Sequence, residues 1–375
     1  MFCKKNKILI AINNLNFGGA EKLVLDQINF LFDNGYDVSL LTTIGDKQSN
    51  FFDKLRIPES KIYKIKRGKY RLLSSVLFIR KIILNEKFNL IVSHLFHTNT
   101  LTRLAIIFLI KRPIFFAYEH NDYSADKKRR HLLVDKVLLL FTDRVIVVSE
   151  SVRNYLLKNK INEKKIILIE NGVYFPDVKV DIKSKKSELG IPDDAIVIVS
   201  VGNVTKQKGH DILLMAAEKI LQQSGNIYFI VCGSCDGVYA KNLIKKSDSM
   251  GGHFKFLGSR VDVLEIVKMS DMYVMPSRWE GLSIALLEAL YLRKNIIVSE
   301  IESMQRVIIN GNNGLFFQPE NSDDLADKIL YLISNEEKIK SMGNCAYLTS
   351  RKYSIENNIR GILDNYNLVL KDKNN

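Results

Sequence analysis

Cysteine is scarce in this chain of 375 residues, which contains only four. The four are too few and too scattered for a disulfide scaffold, the framework of many small secreted proteins. No cleavable signal sequence precedes the first apolar run, and this favours a reducing cytoplasm. Cys232 and Cys235 have the C-x-x-C spacing of redox pairs. The pattern of Tyr228–Cys232, however, indicates a buried strand with a turn at Gly233, and we prefer this interpretation.

Long apolar runs are also absent. The longest, such as Leu104–Ile110, are well short of the roughly 20 residues that a membrane-spanning helix needs, and Lys111-Arg112-Pro113 ends that run. We therefore expect no transmembrane span. With 46% hydrophobic and 26% charged residues, the composition is that of a folded protein long enough for two domains.

The positive charge is unevenly distributed. Residues 1–172 carry 30 Lys and Arg against 16 Asp and Glu, whereas residues 173–375 carry 25 of each. The whole net charge of +14 therefore belongs to the first part of the chain. Such asymmetry indicates an anionic partner for that part, either a membrane surface or a nucleic acid.

Strand-like runs alternate with helical patterns along most of the chain, which is typical of βα units around a parallel sheet. The predicted strands are Lys7–Ile12, Asp37–Thr43, Leu90–Ser93, Ile114–Tyr118, Arg144–Ser149 and Lys165–Ile169, and then Ala195–Val201, Ile227–Cys232, Phe254–Leu257, Met272–Pro276 and Asn295–Ser299. The sequence therefore predicts an α/β protein with two doubly wound Rossmann-like domains that face each other across a ligand-binding cleft.

The boundary between the two domains is predicted from a turn signal, Glu170-Asn171-Gly172, and from the charged stretch Asp177–Glu188, which has no clear apolar period. We place the linker there. This gives an N-terminal domain of residues 1–172 and a C-terminal domain of residues 173–353. The last helical segment, about Ser354–Leu370, could pack on either domain, and one possibility is that residues 354–375 return to the first.

The most informative helix opens near Ser283 and is apolar on every face except for Glu288. A helix that is apolar all round is buried. Burying an ionised carboxylate without partners costs on the order of several kcal/mol, so Glu288 should bond to something specific. The partner could be a structural group of the protein or a hydroxyl group of a ligand.

The loop before this helix, Ser277–Ser283, follows the predicted strand Met272–Pro276. It therefore lies at the carboxyl end of a parallel strand, where such sheets bind ligands. The N–H groups of Gly281, Leu282 and Ser283 at the helix start would suit a phosphate, through their orientation and the helix dipole. Ser283 could also serve simply as an N-cap.

Three further segments at strand ends carry candidate site residues. Val201–Gly209 is a glycine-bounded loop with two lysines that can neutralise a diphosphate. Asn13–Glu21 follows the first strand, and its glycines permit close backbone approach. The G-x-G-x-x-G fingerprint is absent there, which argues against a dehydrogenase. His120 lies just past the strand Ile114–Tyr118 and could be structural or catalytic.

Taken together, these segments resemble the retaining glycosyltransferases of family 4, which have the two-domain GT-B fold. The most specific element is Glu280–Glu288, which matches the family's E-x7-E motif with its apolar filler. Weaker elements occur in the expected order: Phe17–Glu21, Asn171-Gly172-Val173, Gly202 with Lys208-Gly209, and Leu257–Val263. The resemblance runs from Lys7 to about Arg351, which is nearly the whole chain.

The resemblance implies a role for each matching residue. Glu280 should contact hydroxyls of the donor sugar, Glu288 the nucleotide ribose, and His120 the transferred sugar. Glu280 and His120 are therefore the catalytic candidates, in the sense of contact with the reacting sugar. The other implied donor-binding residues are Gly18, Gly19, Asn203, Lys208, Arg260, Gly281, Leu282 and Ser283.

Two positions depart from the family pattern. Asn203 stands where arginine is common, so one charge partner of the diphosphate is missing unless Lys206 or Arg278 replaces it. Ser283 stands where proline is frequent, a change that keeps the N–H group. No Asp/Glu/His cluster has metal-ligand spacing, which agrees with a family that needs no divalent ion. We expect no cofactor, because the nucleotide-sugar is a substrate.

The implied reaction moves a sugar from a UDP- or GDP-linked donor to a saccharide or lipid-linked acceptor, with retention of configuration, in the synthesis of cell-surface polysaccharide or glycolipid. We expect a cytoplasmic protein that docks peripherally on the anionic inner face of the cell membrane. The segment Lys66–Lys81 has the pattern of a basic amphipathic helix, and Lys127-Lys128-Arg129-Arg130 follows His120. A merely solvated basic face is the alternative.

Other functions remain open at this stage. A sugar-nucleotide epimerase would share the fold, and so would a phosphorylase, although the lysine context of a pyridoxal cofactor is not found. A basic nucleic-acid-binding protein is the rival of a different class. No recognised nucleic-acid motif accompanies the charge, and residues 173–375 are neutral, so we expect no nucleic-acid partner.

Overall fold

The structure is a computed structural model that describes residues 6–44, 51–65, 72–120, 129–223 and 225–374, with side chains omitted for 129–133, 336–339 and 374. It divides into two compact units. Unit 1 comprises Met1–Tyr174 and Ile355–Asn375, and unit 2 comprises Phe175–Ser354. The predicted domains end at residues 172 and 353, next to the boundaries at 174 and 354.

Unit 1 contains a seven-stranded parallel sheet in the order β3-β2-β1-β4-β5-β6-β7. Its strands are β1 (Lys7–Ile12), β2 (Asp37–Thr42), β3 (Ile62–Lys64), β4 (Leu90–His94), β5 (Ile114–Glu119), β6 (Arg144–Val147) and β7 (Ile166–Leu168). The helices between them are α1 (Gly19–Asp33), α2 (Leu72–Glu86), α3 (Phe96–Ile106), α4 (Arg129–Leu138) and α5 (Glu150–Lys158).

Unit 2 contains a six-stranded parallel sheet in the order β10-β9-β8-β11-β12-β13. Its strands are β8 (Ile196–Val201), β9 (Ile227–Cys232), β10 (Phe254–Gly258), β11 (Met272–Met275), β12 (Asn295–Ser299) and β13 (Leu315–Phe317). Its helices are α6 (Ile182–Glu188), α7 (His210–Leu221), α8 (Val238–Ser247), α9 (Val263–Met269), α10 (Ile284–Tyr291), α11 (Glu302–Gln305), α12 (Ser322–Ile333) and α13 (Glu336–Ser350).

The central strands are apolar on both faces because helices cover both sides of each sheet. In unit 1, all but the first residue of β1 are buried, and Ile8 pairs with Val38 on one side and with Leu90 on the other. In unit 2, β11 is wholly buried between β8 and β12. Each unit therefore has its own hydrophobic core.

The last helix, α14 (Ile355–Asn374), belongs to unit 1. Asn358 on this helix accepts a hydrogen bond from Gln27 of α1 at 2.9 Å and donates one to the carbonyl of Glu170 at 2.8 Å. Gly361 lies against Ile169, where an added Cβ would meet the side chain at 3.2 Å. The helix thus returns to the first unit, which was one of the two possibilities left open by the sequence.

The predicted linker is partly wrong, because its second half is the helix α6. Asp181 caps this helix by accepting a hydrogen bond from the N–H of Ser184 at 3.2 Å. Lys186 takes the buried position, and its ammonium group donates to the carbonyls of Asp193 and Ala195. A lysine stem can pack in this way when its charged end finds acceptors, so the sequence shows no apolar period here.

The order of strands in each sheet reverses direction once. In unit 1 the reversal lies between β1 and β4, and in unit 2 between β8 and β11. Ligands of open α/β sheets bind beyond the carboxyl ends of the strands at such a switch point. The residues that follow these strands are therefore the candidate ligand-binding positions in each unit.

Cys232 ends the buried strand β9, as predicted. Burial raises the pKa of its thiol to about 12, so it is not a reactive thiolate at neutral pH. Cys232 and Cys235 are both free thiols. The strand interpretation of the C-x-x-C segment is confirmed.

Candidate active site

Two loops of unit 2 meet at the switch point between β8 and β11. The first follows β8 and ends at Gly209, and the second follows β11 and ends at Ser283. Their backbones are joined, because the N–H of Arg278 donates to the carbonyl of Gln207 at 2.8 Å. The amide of Gln207 donates in turn to the carbonyl of Trp279 at 3.0 Å. The loops therefore form one rigid edge.

Gly209 makes this close approach possible. Its φ is +65°, a left-handed conformation, and a Cβ at this position would overlap with the carbonyl oxygen of Pro276. Both features favour glycine over any other residue. The glycine immediately after Lys208 thus fixes the distance between the two loops.

Glu280 is the buried carboxylate of this site. It is only 7% exposed, and its Oε1 accepts hydrogen bonds from the ammonium group of Lys208 at 2.5 Å and from the hydroxyl of Ser277 at 2.9 Å. A buried charge needs such partners. The predicted donor-binding lysine and the predicted catalytic glutamate therefore form one ion pair at the head of α10.

Glu288 is less buried than the sequence predicts. The helix α10 is buried along most of its length, but Ala285, Glu288 and Tyr291 form a partly exposed stripe. Residues three apart share a helix face, so this stripe points away from the core. The prediction of a helix buried on every face was wrong, and Glu280 fits the description that we gave for Glu288.

Tyr273 on β11 lies close to both glutamates and is missing from the sequence prediction. It is 0% exposed, and its hydroxyl has no hydrogen-bond partner among the residues that the structure describes. Burial raises the pKa of this phenol well above its ordinary value, and the negative charges of Glu280 and Glu288 raise it further. The group therefore stays neutral. An aromatic residue inside a strand gives no signal of this kind in the sequence.

The start of α10 has the predicted form. Ser283 is its N-cap, since the serine hydroxyl accepts from the N–H of Leu286 at 3.5 Å. Gly281 and Leu282 are buried with it beside the ion pair. The positive end of a helix dipole thus lies next to Lys208 and favours an anion.

Asn203 and Arg278 are engaged elsewhere in the protein. Asn203 accepts a hydrogen bond from the N–H of Ser234 at 3.1 Å, so it braces the loop after β8 against the loop after β9. Arg278 donates to both oxygens of Asp211, at 2.9 and 2.8 Å, and to Glu320 at 2.5 and 2.7 Å. This geometry argues against the idea that Arg278 replaces the missing arginine.

Arg260 lies after β10 in a network of opposite charges. Its guanidinium donates to Asp262 at 2.7 Å and to Glu188 at 2.8 Å, and Lys185 contacts the same two carboxylates. Its side chain is 30% exposed. These contacts link Arg260 to Asp262 and Glu188, and not to the ion pair of Lys208 and Glu280.

The glycines of unit 1 lie at the head of α1. Gly18 is the N-cap of this helix, and a Cβ there would overlap with the carboxylate of Glu21, while Gly19 is exposed. Burial raises the pKa of Glu21 to about 7. A carboxyl group that titrates near neutral pH thus covers the first of the two predicted glycines.

His120 has a neighbour that the sequence analysis did not identify. The Nε2 of His120 lies 2.9 Å from the Nδ1 of His94, the last residue of β4, and both rings are buried. Burial lowers the pKa of His120 to about 3 and that of His94 well below its ordinary value, the latter also through the proximity of His120. The signal was available, since His94 ends β4 and His120 directly follows the neighbouring strand β5.

Metal binding and membrane spanning can be examined in the described ranges. Within them, no group of three or more His, Cys, Asp and Glu side chains is arranged to hold a metal ion. Within the same ranges, no helix combines the length and the apolar character needed to cross a bilayer.

Each unit matches a model of a protein family. Residues 17–174 match the model described as Glycosyltransferase Family 4, and residues 181–349 match the one described as Glycosyl transferases group 1. The two matches follow one another and together take in both candidate regions. The chain belongs to glycosyltransferase family 4.

Individual relatives agree with this assignment. An uncharacterized glycosyltransferase of Methanocaldococcus jannaschii is 31% identical over 226 residues, which are 59% of this chain and 58% of that protein. The chain thus spans less than two thirds of that relative. The UDP-Gal:alpha-D-GlcNAc-diphosphoundecaprenol alpha-1,3-galactosyltransferase of Escherichia coli is 24% identical over 369 residues, 93% of each chain.

Solved structures establish the fold. HepE of Anabaena, crystallised with UDP-glucose, is similar with a TM-score of 0.81 at 20% identity, over 96% of this chain and 98% of HepE. At this identity the likeness concerns the fold alone. The prediction of two Rossmann-like domains of the GT-B class is confirmed.

Proposed function

We propose that this chain is a retaining glycosyltransferase that moves a sugar from a nucleotide-sugar, UDP- or GDP-linked, to a saccharide or lipid-linked acceptor in the synthesis of cell-surface polysaccharide or glycolipid. The observation that carries this proposal is the part-buried ion pair of Lys208 and Glu280 before α10. It supports the proposal because an ammonium group suits a diphosphate and the neighbouring carboxylate can accept hydrogen bonds from sugar hydroxyls.

The charges of this site suit the chemistry of the donor. When the glycosidic bond to the diphosphate breaks, negative charge grows on the phosphate oxygens. Lys208 and the positive end of α10 can stabilise that charge, and their positions are fixed before the reaction. Glu280, held by Ser277, can orient the sugar by its hydroxyl groups. We assign Gly281, Leu282, Ser283 and Glu288 to donor binding on the same grounds, and keep Gly18, Gly19, Asn203, Arg260 and His120 as proposed contacts from the family motif.

The Escherichia coli relative supports the choice of substrates. Its name states a UDP-linked galactose donor and a diphosphoundecaprenol-linked acceptor, and its similarity extends over 93% of this chain. A lipid-linked acceptor lies at a membrane, so unit 1 should be able to reach a membrane surface.

Unit 1 exposes apolar side chains on neighbouring elements, which supports peripheral docking on an anionic membrane. The exposed face of α2 is mainly apolar and has one exposed basic residue, Lys81. The part of the predicted basic helix before Leu72 lies outside the described residues, as do Lys127 and Lys128. We call the following side chains the apolar face: Leu72, Leu73, Leu77, Phe78 and Leu84 of α2, Phe108 and Ile110 after α3, and Val134, Val137 and Leu140 of α4 and its end. Contiguous apolar patches mark interaction surfaces, and α2, α3 and α4 are neighbours in the fold.

The decisive experiment combines a nucleotide-sugar binding panel with NMR of the transferred product. We expect binding of a UDP- or GDP-sugar, transfer to a lipid-linked acceptor in the presence of EDTA, and retained anomeric configuration. An inverted product would contradict the retaining assignment, and loss of transfer with EDTA would contradict metal independence. Incubation of the donor without acceptor distinguishes an epimerase, which would convert the sugar on its own.

Membrane docking is tested by flotation with liposomes. The wild-type chain should float with anionic vesicles and much less with neutral ones. The double variant Phe108→Ser/Ile110→Ser should lose most of this binding, whereas Leu368→Ser, an exposed leucine on α14, should not. Equal flotation with neutral and anionic vesicles, or no effect of the double variant, would remove the proposal.

A further inference from the structure

Three aromatic rings lie against one another at the carboxyl ends of β4 and β5, on His94, Tyr118 and His120. The centroid of the His94 ring is 4.6 Å from that of Tyr118 and 5.1 Å from that of His120, and the centroids of Tyr118 and His120 are 4.9 Å apart. The planes are tilted by 13°, 27° and 16°. Packing of this kind leaves the rings little freedom to rotate.

Tyr118 is anchored at its far end. Its hydroxyl accepts a hydrogen bond at 2.8 Å from the amide of Asn358 on α14, and the carbonyl oxygen of that amide accepts from Gln27 of α1. All three side chains are buried. The hydrogen bonds of Tyr118 and Asn358 therefore fix the stack without involving the histidine nitrogens, and His94 and His120 keep their relative orientation.

The contact between the two histidines involves one proton. Nδ1 of His94 and Nε2 of His120 are 2.9 Å apart, so one nitrogen donates and the other accepts. Burial lowers the pKa values of both rings, so both are neutral near pH 7. A neutral imidazole carries its proton on one nitrogen only, and the tautomer of one ring therefore fixes that of the other.

The second nitrogen of His94 decides between the two possible arrangements. Nε2 of His94 is buried and has no hydrogen-bond partner among the described residues. Buried N–H groups without an acceptor are rarer in proteins than acceptors without a donor. The favoured arrangement leaves Nε2 of His94 bare and puts its proton on Nδ1. His94 then donates to Nε2 of His120, whose own proton is on Nδ1.

We propose that His94 is a positioning residue that holds His120 in the Nδ1–H tautomer, so that His120 offers a hydrogen-bond donor to the transferred sugar and does not act as a base. The part of this inference that concerns the sugar rests on the proposed function. The tautomer itself does not, because it follows from the contacts within unit 1.

The first test is NMR of the chain labelled with 15N-histidine, without substrate, at pH 7. Two-bond 15N–1H correlations distinguish a protonated from a bare ring nitrogen, and the spectrum of His120→Gln identifies the His120 signals by their loss. We expect a single tautomer with the proton on Nδ1 of His120 and on Nδ1 of His94. A proton on Nε2 of His120 would overturn the inference without any mutation at His94.

The second test uses two replacements of His94. His94→Phe keeps a stacked ring but has no hydrogen-bonding nitrogen, whereas His94→Asn places an amide group near the position of Nδ1. In His94→Phe we expect signals of both His120 tautomers and a kcat about three- to tenfold lower, in line with loss of one hydrogen bond, with the donor KM within about twofold. His94→Asn should largely restore both the single Nδ1–H tautomer of His120 and the wild-type kcat.

A matched control separates this role from packing. Tyr118→Phe removes the hydroxyl that binds Asn358 but keeps the ring, so the His120 tautomer should stay as in the wild type. A single Nδ1–H tautomer that persists in His94→Phe would show that His94 only packs. If the wild-type chain transfers no sugar while the tautomer is as expected, the proposed function fails and the positioning role stands.

Discussion

The two units hold their candidate residues by opposite electrostatic means. In unit 2, Lys208 and Glu280 form a part-buried ion pair whose charged atoms are 2.5 Å apart. In unit 1, His94 and His120 form a buried hydrogen bond of 2.9 Å between rings that burial keeps neutral. The first pair can respond to the charge of a diphosphate, whereas the second can offer hydrogen bonds without adding charge.

This difference follows from the surroundings of each pair. Lys208 keeps 21% of its side chain exposed and is paired with the carboxylate of Glu280. Desolvation by burial is the largest cause of the lowered pKa of both His94 and His120. A charged site in one unit and a neutral site in the other would divide the work between charge stabilisation and orientation of the sugar.

Loss of the charge in unit 2 should have the largest effect. Glu280→Gln keeps the size of the side chain and an oxygen for Ser277 and Lys208, but it removes the negative charge. We expect kcat/KM for transfer to fall on the order of 10²-fold, the effect of misplacing a reacting group. Steady-state transfer assays with a radiolabelled donor measure it.

The matched control is Glu218→Gln, which removes an exposed carboxylate of α7 in the same unit. Its kcat/KM should stay within about twofold of the wild type, because isolated surface charges contribute little. Full activity of Glu280→Gln, with a wild-type circular dichroism spectrum in both variants, would refute the assignment of the ion pair to the donor.

The backbone contact that brings the ion pair together can be disrupted at Gly209. Gly209→Ala would strain a backbone with φ +65° and place a Cβ against the Pro276 carbonyl, whereas Gly251→Ala meets φ +57° in open space. Strain alone costs on the order of 1 kcal/mol in each variant. We expect Gly209→Ala to reduce the free energy of unfolding by about 2 kcal/mol more than Gly251→Ala does, which is the typical cost of overpacking.

Urea unfolding measures this difference. Equal destabilisation of the two alanine variants would show that the loops can separate without cost. The kcat/KM of Gly209→Ala should also fall, because the loop that carries Lys208 would shift relative to Glu280.

The sequence predicted the strands well because parallel strands buried on both faces are continuous apolar runs. β1, β9 and β12 have the predicted bounds. The three-residue strands β3 and β13 were missed, since so short a run has no pattern to detect. The helix α6 was missed because a lysine occupies its buried position.

The candidate site could be predicted from the sequence only in part. The E-x7-E spacing led to Glu280 and Glu288, but it does not show which of the two is buried. Glu280 lies in the loop before α10 and is held by Lys208 and Ser277, whereas the exposure of Glu288 depends on how α10 is rotated against the core. The partners of Arg278 and of His94 are far along the chain or on a neighbouring strand. Such contacts depend on tertiary structure, which a motif does not encode.

The neutral state of the buried histidines in unit 1 predicts a dependence of stability on pH. His120 in the folded chain stays neutral until the pH nears about 3, whereas an unfolded histidine takes up a proton near about 6.5. Between these values the unfolded state binds more protons, so acidification favours unfolding. When the pH falls from about 7 to about 5.5, the free energy of unfolding of His120→Gln should therefore decrease by about 1 kcal/mol less than that of the wild type.

Glu21 provides a control of opposite sign in the same unit. Its folded pKa of about 7 lies above the ordinary value of 4.5, so the folded state takes up the proton first and acidification through this range adds stability. Glu21→Gln should thus steepen the loss of stability on acidification. Urea titrations at the two pH values measure both variants, and parallel slopes in all three proteins would contradict the neutral assignment of His120.

The smallest effect should come from Arg260, which tests how far the charged site of unit 2 extends. Arg260 and Lys185 both contact Asp262 and Glu188, but the family motif includes only Arg260. If Arg260 leaves these carboxylates for the donor diphosphate, Arg260→Gln should raise the donor KM about threefold, the loss of one solvated charge contact, while Lys185→Gln leaves it unchanged. If both variants leave the donor KM unchanged, Arg260 belongs to a surface network of ion pairs that joins α6 to α9. Binding of the donor diphosphate would then depend on Lys208 and the positive end of α10, without Arg260.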